Sequence, residues 1–374
     1  MMRWVLAAAA LCGLVGAGYA AYLEGEGEEA QQAAPPIVRP MPPRPVPPPA
    51  GDDALTRAIR RITVRAGQAH KGLTVFTLET SAVEDEADYV SAAEALKKGD
   101  LTIREKGGGE VPALAARNEG SREVLLLAGQ VLLGGKQNRV LREDVLLPAD
   151  SGWVTLPVLC VEQRRWSGRD AGFADASSVA ALKVRAGAQT GAPQQEVWHE
   201  VTAYQTRLNI ISATGDLQDV QASVRVRAEV EDYAEAFADC WRPDTVGMVV
   251  AQHGRIVGAD IFCNPVVFRK HRRRLLESYV VDWVAVRHAP RARERVVPPR
   301  LSLREAERFL GRAVRAHHAR QETPGLGWRI VVEGADVSGG GLVHRGVLLH
   351  AALFAGEGAT VPMGLPREGP ELIE

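Results

Sequence analysis

From residue 61 onward, apolar and polar positions fall into two rhythms. RITVRA (61–66) and LTVFTLE (73–79) alternate with period two, are rich in β-branched residues and border glycines, which predicts strands. EVLLLAGQVLL (123–133), VLREDVLL (140–147) and WVTLPVLCVE (153–162) are longer apolar runs of strand type. Helical spacing is expected over 84–98 and in QQEVWHEVTAYQTRL (194–208), with Pro193 suited to a first turn. It recurs in RAEVEDYAEAFADC (227–240), where Val230, Tyr233, Ala234 and Phe237 share a face. VGMVVAQ and RIVGADIFC flank His253-Gly254, a tight hairpin signal. A long helix is expected over 268–288. Another opens on the Ser302–Glu305 capping pair, and strands close the chain from Trp328 to Gly356. Strict β-α-β alternation is missing. The expected class is α+β, mainly antiparallel sheet with several packed helices in one globular domain.

The N-terminal pattern is different. Arg3 precedes an apolar or small run at residues 4–21, and Gly18-Tyr19-Ala20 resembles a small-x-small cleavage site. Residues 1–21 are therefore expected to be a signal peptide or a membrane anchor, since the run just reaches spanning length. Residues 22–54, acidic and then proline-rich, are expected to be an extended, disordered linker. The globular part is expected over 55–360, with helix plus strands in 300–360, and a tail over 361–374. This layout implies export to the periplasm or cell envelope, either released or tethered to the membrane through the N-terminus.

Composition changes little. Hydrophobic residues make up 46% and charged residues 24%, as in ordinary globular proteins. A net charge of −1 gives no global electrostatic case for a nucleic-acid partner. Beyond Cys12, Cys160, Cys240 and Cys263 sit in apolar contexts without zinc spacing, and are expected to be small buried hydrophobes. Trp198-His199-Glu200 lacks the second histidine of a zincin helix. His317-His318 reads as a helix-end cap, and the basic run 269–274 points around all sides of its helix. No metal site and no cofactor are expected.

One stretch carries chemistry. GGKQNR (134–139) sets four large polar side chains at the end of an apolar run. PADSG (148–152) is strong turn chemistry, so 140–147 and 153–162 are expected to pair as one antiparallel hairpin. Partners then sum to about 300. That count puts Val145 near Thr155, Leu141 near Leu159, Asn138 opposite Glu162, Gln137 opposite Gln163 and Gly135 near Arg165. Lys136, Gln137, Asn138 and Arg139 meet Glu162, Arg164, Arg165 and Trp166. One acid among four cations gives a local positive excess, and arginine forks suit phosphate or carboxylate. The alternative is a self-satisfied network that pins the hairpin.

GGKQNR followed by PVLCVEQRRW resembles the ARPP domain family, the ARG and rhodanese-phosphatase-superfamily-associated proteins. The matching positions are Gly135, Lys136, Gln137, Asn138 and Arg139, then Val158, Cys160, Val161, Glu162, Arg165 and Trp166. Gln195, Val197 and Trp198 match the family's helix start; Asp260 and Phe262 match its later strand. The resemblance covers roughly residues 62 to 287. It implies a role near ADP-ribose-related or otherwise phosphorylated metabolites. On this reading Glu162 is the expected acid/base. Lys136, Gln137, Asn138, Arg139, Arg165, Trp166, Gln195, Trp198 and Asp260 are the expected ligand-binding residues, and an anionic small molecule is the expected partner. The other class of function is a non-catalytic envelope module with a closed cluster.

Overall fold

The computed structural model describes residues 53–107, 111–166, 172–288 and 301–356. The segments expected to be signal, most of the linker and the tail lie outside the described residues. Helix α1 (Ala54–Arg60) leads into strands β1 (Thr63–Val64), β2 (Gln68–His70), β3 (Leu73–Glu79) and β4 (Val90–Ser91), then helix α2 (Ala92–Lys98). Eight strands follow: β5 (Leu101–Glu105), β6 (Ala113–Asn118), β7 (Val124–Leu126), β8 (Gln130–Gly134), β9 (Arg139–Leu141), β10 (Val145–Leu147), β11 (Val154–Cys160) and β12 (Phe173–Val179). Next come helices α3 (Leu182–Thr190), α4 (Gln194–Leu208), α5 (Leu217–Gln221) and α6 (Val224–Ala236). The hairpin β13 (Thr245–Gln252) and β14 (Arg255–Phe262) precedes the long helix α7 (Pro265–Arg287). Helix α8 (Leu303–Arg315) and strands β15 (His317–Gln321), β16 (Trp328–Glu333), β17 (Val337–His344) and β18 (Val347–Ala355) complete the fold.

The large sheet runs β1-β3-β13-β14-β18-β17-β16-β15, with β2 also on β3, all antiparallel. A six-stranded antiparallel sheet runs β12-β8-β9-β11-β6-β5, and a small one runs β10-β7-β4. Its β4–β7 pair is parallel. The chain is α+β. Period-two alternation sends neighbours to opposite faces of the large sheet. Val75 and Met248 pack with Val184, Val201, Tyr233 and Tyr279 of the helices. Their neighbours Phe76 and Val249 join Leu55 and Phe309 on the other face. A third core, around Leu114, Leu132, Leu141 and Leu156, fills the smaller sheets.

Helix α4 spans the expected residues, with Pro193 as its N-cap. In α6 the expected face holds buried Val230, Tyr233 and Phe237, with Ala234 only half-buried. Both the hairpin at His253-Gly254 and the Ser302–Glu305 capping box are present. The free thiols of Cys160 and Cys263 are buried and that of Cys240 is half-buried. Three expectations need correction. Of residues 84–98 only Ala92–Lys98 is helical, because Ser91 and Glu94 form a capping box there; Asp85 instead bonds the Tyr89 hydroxyl. His317-His318 opens strand β15 rather than ending the helix, but the expected cap is made: His318 Nε2 meets the Ala313 carbonyl in the last turn of α8 (2.7 Å).

The third correction concerns the hairpin. Its far end pairs as counted to within one residue: Leu141 faces Val158, and Cys160 faces Arg139. Val145, however, pairs with Leu126, and Thr155 pairs with Ala115. Proline supplies no ladder N–H, and β11 changes partner at Pro157, from β6 before it to β9 after it. The PADSG turn docks on another turn, through Asp150 N to the Gly120 carbonyl and Ser151 N to the Asn118 carbonyl.

Candidate functional site

The two polar stretches do meet, at the end of the six-stranded sheet. The Asn138 N–H donates to Glu162 Oε2 (3.1 Å), and the Val161 N–H donates to the Asn138 carbonyl (3.0 Å). Gln137 Nε2 donates to the Glu162 and Gln163 carbonyls (2.8 and 3.3 Å). Arg165 grips Glu162 as a fork: Nε to Oε1 at 2.8 Å and Nη2 to Oε2 at 2.7 Å. Its Nη1 donates to the Gly135 carbonyl at 2.8 Å. Gln137, Asn138, Arg139 and Glu162 are all buried. Gly134 and Gly135 have positive φ (138° and 50°). A Cβ on Gly134 would meet the Gly172 carbonyl; one on Gly135 would meet Glu105 and Phe173. The close approach these glycines allow is therefore to the protein's own chain.

Two acids that local patterns did not flag complete the cluster. Glu105, at the end of β5, accepts the Lys136 N–H (2.8 Å) and lies 3.7 Å from Arg139 Nη2. Asp216, the N-cap of α5, accepts Asn138 Nδ2 (2.7 Å) and the Gln218 N–H (3.0 Å). Asp-Leu-Gln-Asp was readable as a helix start, but nothing local joins residue 216 to 138. Arg164 turns away to the Ser212 and Ala213 carbonyls. Arg139 and Arg165 thus face Glu105, Glu162 and Asp216, so the expected positive excess is offset.

The carboxyls are tuned apart. Burial opposes the Glu162 charge, yet Arg165, the Asn138 N–H and Thr214 outweigh it and hold its pKa below the usual value. Burial lifts Asp216 to about 6, and the nearby Glu162 charge adds to the rise. Arg139 is wholly buried. Its Nη1 donates to the Gln137 carbonyl (2.7 Å), while Nε and Nη2 have no hydrogen-bond partner among the described residues. At the surface, Trp166 is 51% exposed, and Lys136 Nζ lies 5.1 Å from its ring centroid.

Three expected ligand residues lie elsewhere. Gln195 is exposed on α4; its neighbour Gln194 is the one that reaches the sheet, bonding both the N–H and the carbonyl of Cys160 (2.8 Å each). Trp198 is half-buried, with an indole N–H that has no partner among the described residues. Asp260 belongs to a second, fully buried centre. It accepts Arg185 Nη2 (3.0 Å) and the Tyr279 hydroxyl (2.8 Å), and faces His350 Nε2 (3.3 Å). His350 Nδ1 meets Asp144 Oδ2 at 2.9 Å. Burial opposes an imidazolium there, but Asp144 and Asp260 outweigh it and raise the pKa of His350 to about 9. The basic run of α7 is held mostly by its own neighbours: Lys270 by Asp88 and Glu94, Arg273 by Glu231, Arg274 by Asp175.

No curated protein and no solved structure matches this chain. One family does. The ARPP-1 description, ARG and Rhodanese-Phosphatase-superfamily-associated Protein domain, matches residues 61–354. That span takes in both halves of the hairpin-end cluster and the buried centre, and runs from just after α1 into the last strand. On this match over most of its length, the chain belongs to the ARPP-1 family.

Proposed function

We propose that the protein binds a phosphorylated small molecule, with ADP-ribose-related metabolites the first candidates, at the surface of the hairpin-end cluster. The observation that carries this reading is the exposed Trp166 with the Lys136 ammonium over its ring. An exposed indole can stack a purine, and a cation held at its ring pairs a phosphate. The family resemblance, taken to imply a role near such metabolites, motivates the choice of candidates. In this reading Glu162 is a fixed anion that orients Arg165 and the Asn138 N–H. Proton transfer, where the chemistry needs it, falls to Asp216.

Thermal shift with ADP-ribose, NAD and ribose 5-phosphate tests the reading. Ligand at one hundred times Kd adds about 2.7 kcal/mol, a rise of several degrees in Tm. Trp166→Ala is expected to remove the response without changing the apo Tm. No stabilisation by any of the three sinks the idea.

A second reading rests on the mutual saturation of Gln137, Asn138, Glu162 and Arg165. There the cluster pins the sheet end and the protein is a non-catalytic envelope module. A Glu162→Gln variant that loses stability while ligands have no effect on either protein favours it. Export or membrane tethering through residues 4–21 is part of both readings. Cell fractionation tests it: recovery of the full-length chain wholly in the cytosol overturns it.

A further inference from the structure

A cleft of about 310 Å³ lies away from the hairpin end, between β12, the α5–α6 corner and α7. It is walled by Ser177 and Ser178, by Gln218 and Gln221, by Arg227 and Glu231 of α6, and by Arg273 and Glu277 of α7. Such a volume suits a small ligand. The wall is made by an irregularity: β12 slips register between Asp175 and Val179, and Ser177 takes a left-handed φ of 58°. That turns the serines toward the helices, where the Ser178 hydroxyl meets Gln221 Oε1 (3.4 Å).

Half of the polar lining groups are already matched. Gln221 Nε2 donates to the Val179 carbonyl (2.8 Å) and Arg273 pairs with Glu231 (2.5 Å). Arg274, beside the cleft, pairs with Asp175 (2.9 Å). The Ser177 hydroxyl is on an exposed residue, and three further groups remain. Glu277 has neither an ion pair nor a hydrogen bond to its carboxylate among the described residues, and burial raises its pKa against the pull of Arg273, Arg227 and Arg274. Arg227 likewise has no side-chain partner among the described residues. Gln218 Oε1 is buried and accepts nothing there. The cleft thus offers a carboxylate and an amide carbonyl that lack donors, and a guanidinium that lacks an anion. One small molecule with both an ammonium and a carboxylate answers all three.

We propose that this cleft binds a zwitterionic amino acid, its ammonium on Glu277 and Gln218 and its carboxylate on Arg227. The site meets the hairpin-end cluster through α5, where the Gln218 N–H donates to Asp216, but does not depend on its reading. Isothermal titration of the full chain with single L-amino acids tests it, using methylamine and acetate at matched ionic strength as one-charge controls. At least one amino acid is expected to bind, with each control at least tenfold weaker. Arg227→Ala, on an exposed position, and Glu277→Gln are each expected to weaken binding at least tenfold, with far-UV circular dichroism and apo Tm confirming that both variants fold. Trp166→Ala is expected to leave it unchanged. Absence of binding by every amino acid overturns the proposal, as does equal affinity in wild type and folded Arg227→Ala.

Discussion

Arg165 and Glu162 make one forked pair whose carboxylate is buried and whose guanidinium is partly open. Removing the cation leaves the buried anion with weaker partners, which costs far more than a surface pair would. Arg165→Ala is expected to lower stability by about 2–3 kcal/mol in urea unfolding. Arg165→Lys recovers only part of that, since an ammonium cannot reproduce the fork. Asp216 makes the opposite case. Its carboxyl is raised to about 6, so protonation favours the folded state. A raised group contributes stability that is full below its unfolded value near 4 and lost as pH rises through about 6. Asp216→Asn keeps an N-cap acceptor and is expected to flatten the stability profile between pH 4 and 6. An unchanged slope in that window would count against the assignment. Residues 136–139 and 162–166 were legible as a site because their polarity interrupts apolar strands. Glu105 was not, because an acid ending an ordinary strand carries no local mark.

Strand breaks decide where those residues arrive. The run 123–133 reads as one strand, but Gly129 divides it into β7 and β8, which belong to different sheets. Gly129 has a φ of 83°, and a Cβ there would run into the Arg185 side chain. Gly129→Ala combines a left-handed alanine with a clash against a wholly buried arginine. A loss of about 2–4 kcal/mol is expected, read as a lower Tm by calorimetry. A change below about 0.5 kcal/mol would mean that the break is not held by this contact. In the same way Asp144 interrupts 140–147, since its carboxylate accepts the Ala128 N–H (2.7 Å) and meets His350. The single hairpin expected from PADSG therefore becomes strands shared among three partners. The register at its far end was right because β9 and β11 still pair there. The near end failed because the competing partners, β6 and β7, are set by burial that a turn motif does not report.

Across the whole molecule, one buried chain of side chains joins the layers. Asp144 comes from the strand break, His350 and Asp260 from adjacent strands of the large sheet, Arg185 from α3 and Tyr279 from α7. Two aspartates against a histidinium and an arginine balance in charge, as a fully buried set must. With His350 raised to about 9, its contribution is full below its unfolded value near 6.5 and lost as pH rises through about 9. Stability in urea is expected to fall from pH 7 to pH 10, and His350→Gln to flatten that fall while lowering stability at pH 6. A wild-type profile flat to pH 10 would place the histidine neutral. Local sequence determined the class, the long helices, the 253–254 hairpin and the polar ends of two strands, because periodicity and turn chemistry act over a few residues. Only the tertiary structure brought residue 105 to 136, 216 to 138, and 144 and 185 to 260 and 350. Those pairings are chosen by the joint burial of distant segments, which leaves no pattern in any one of them.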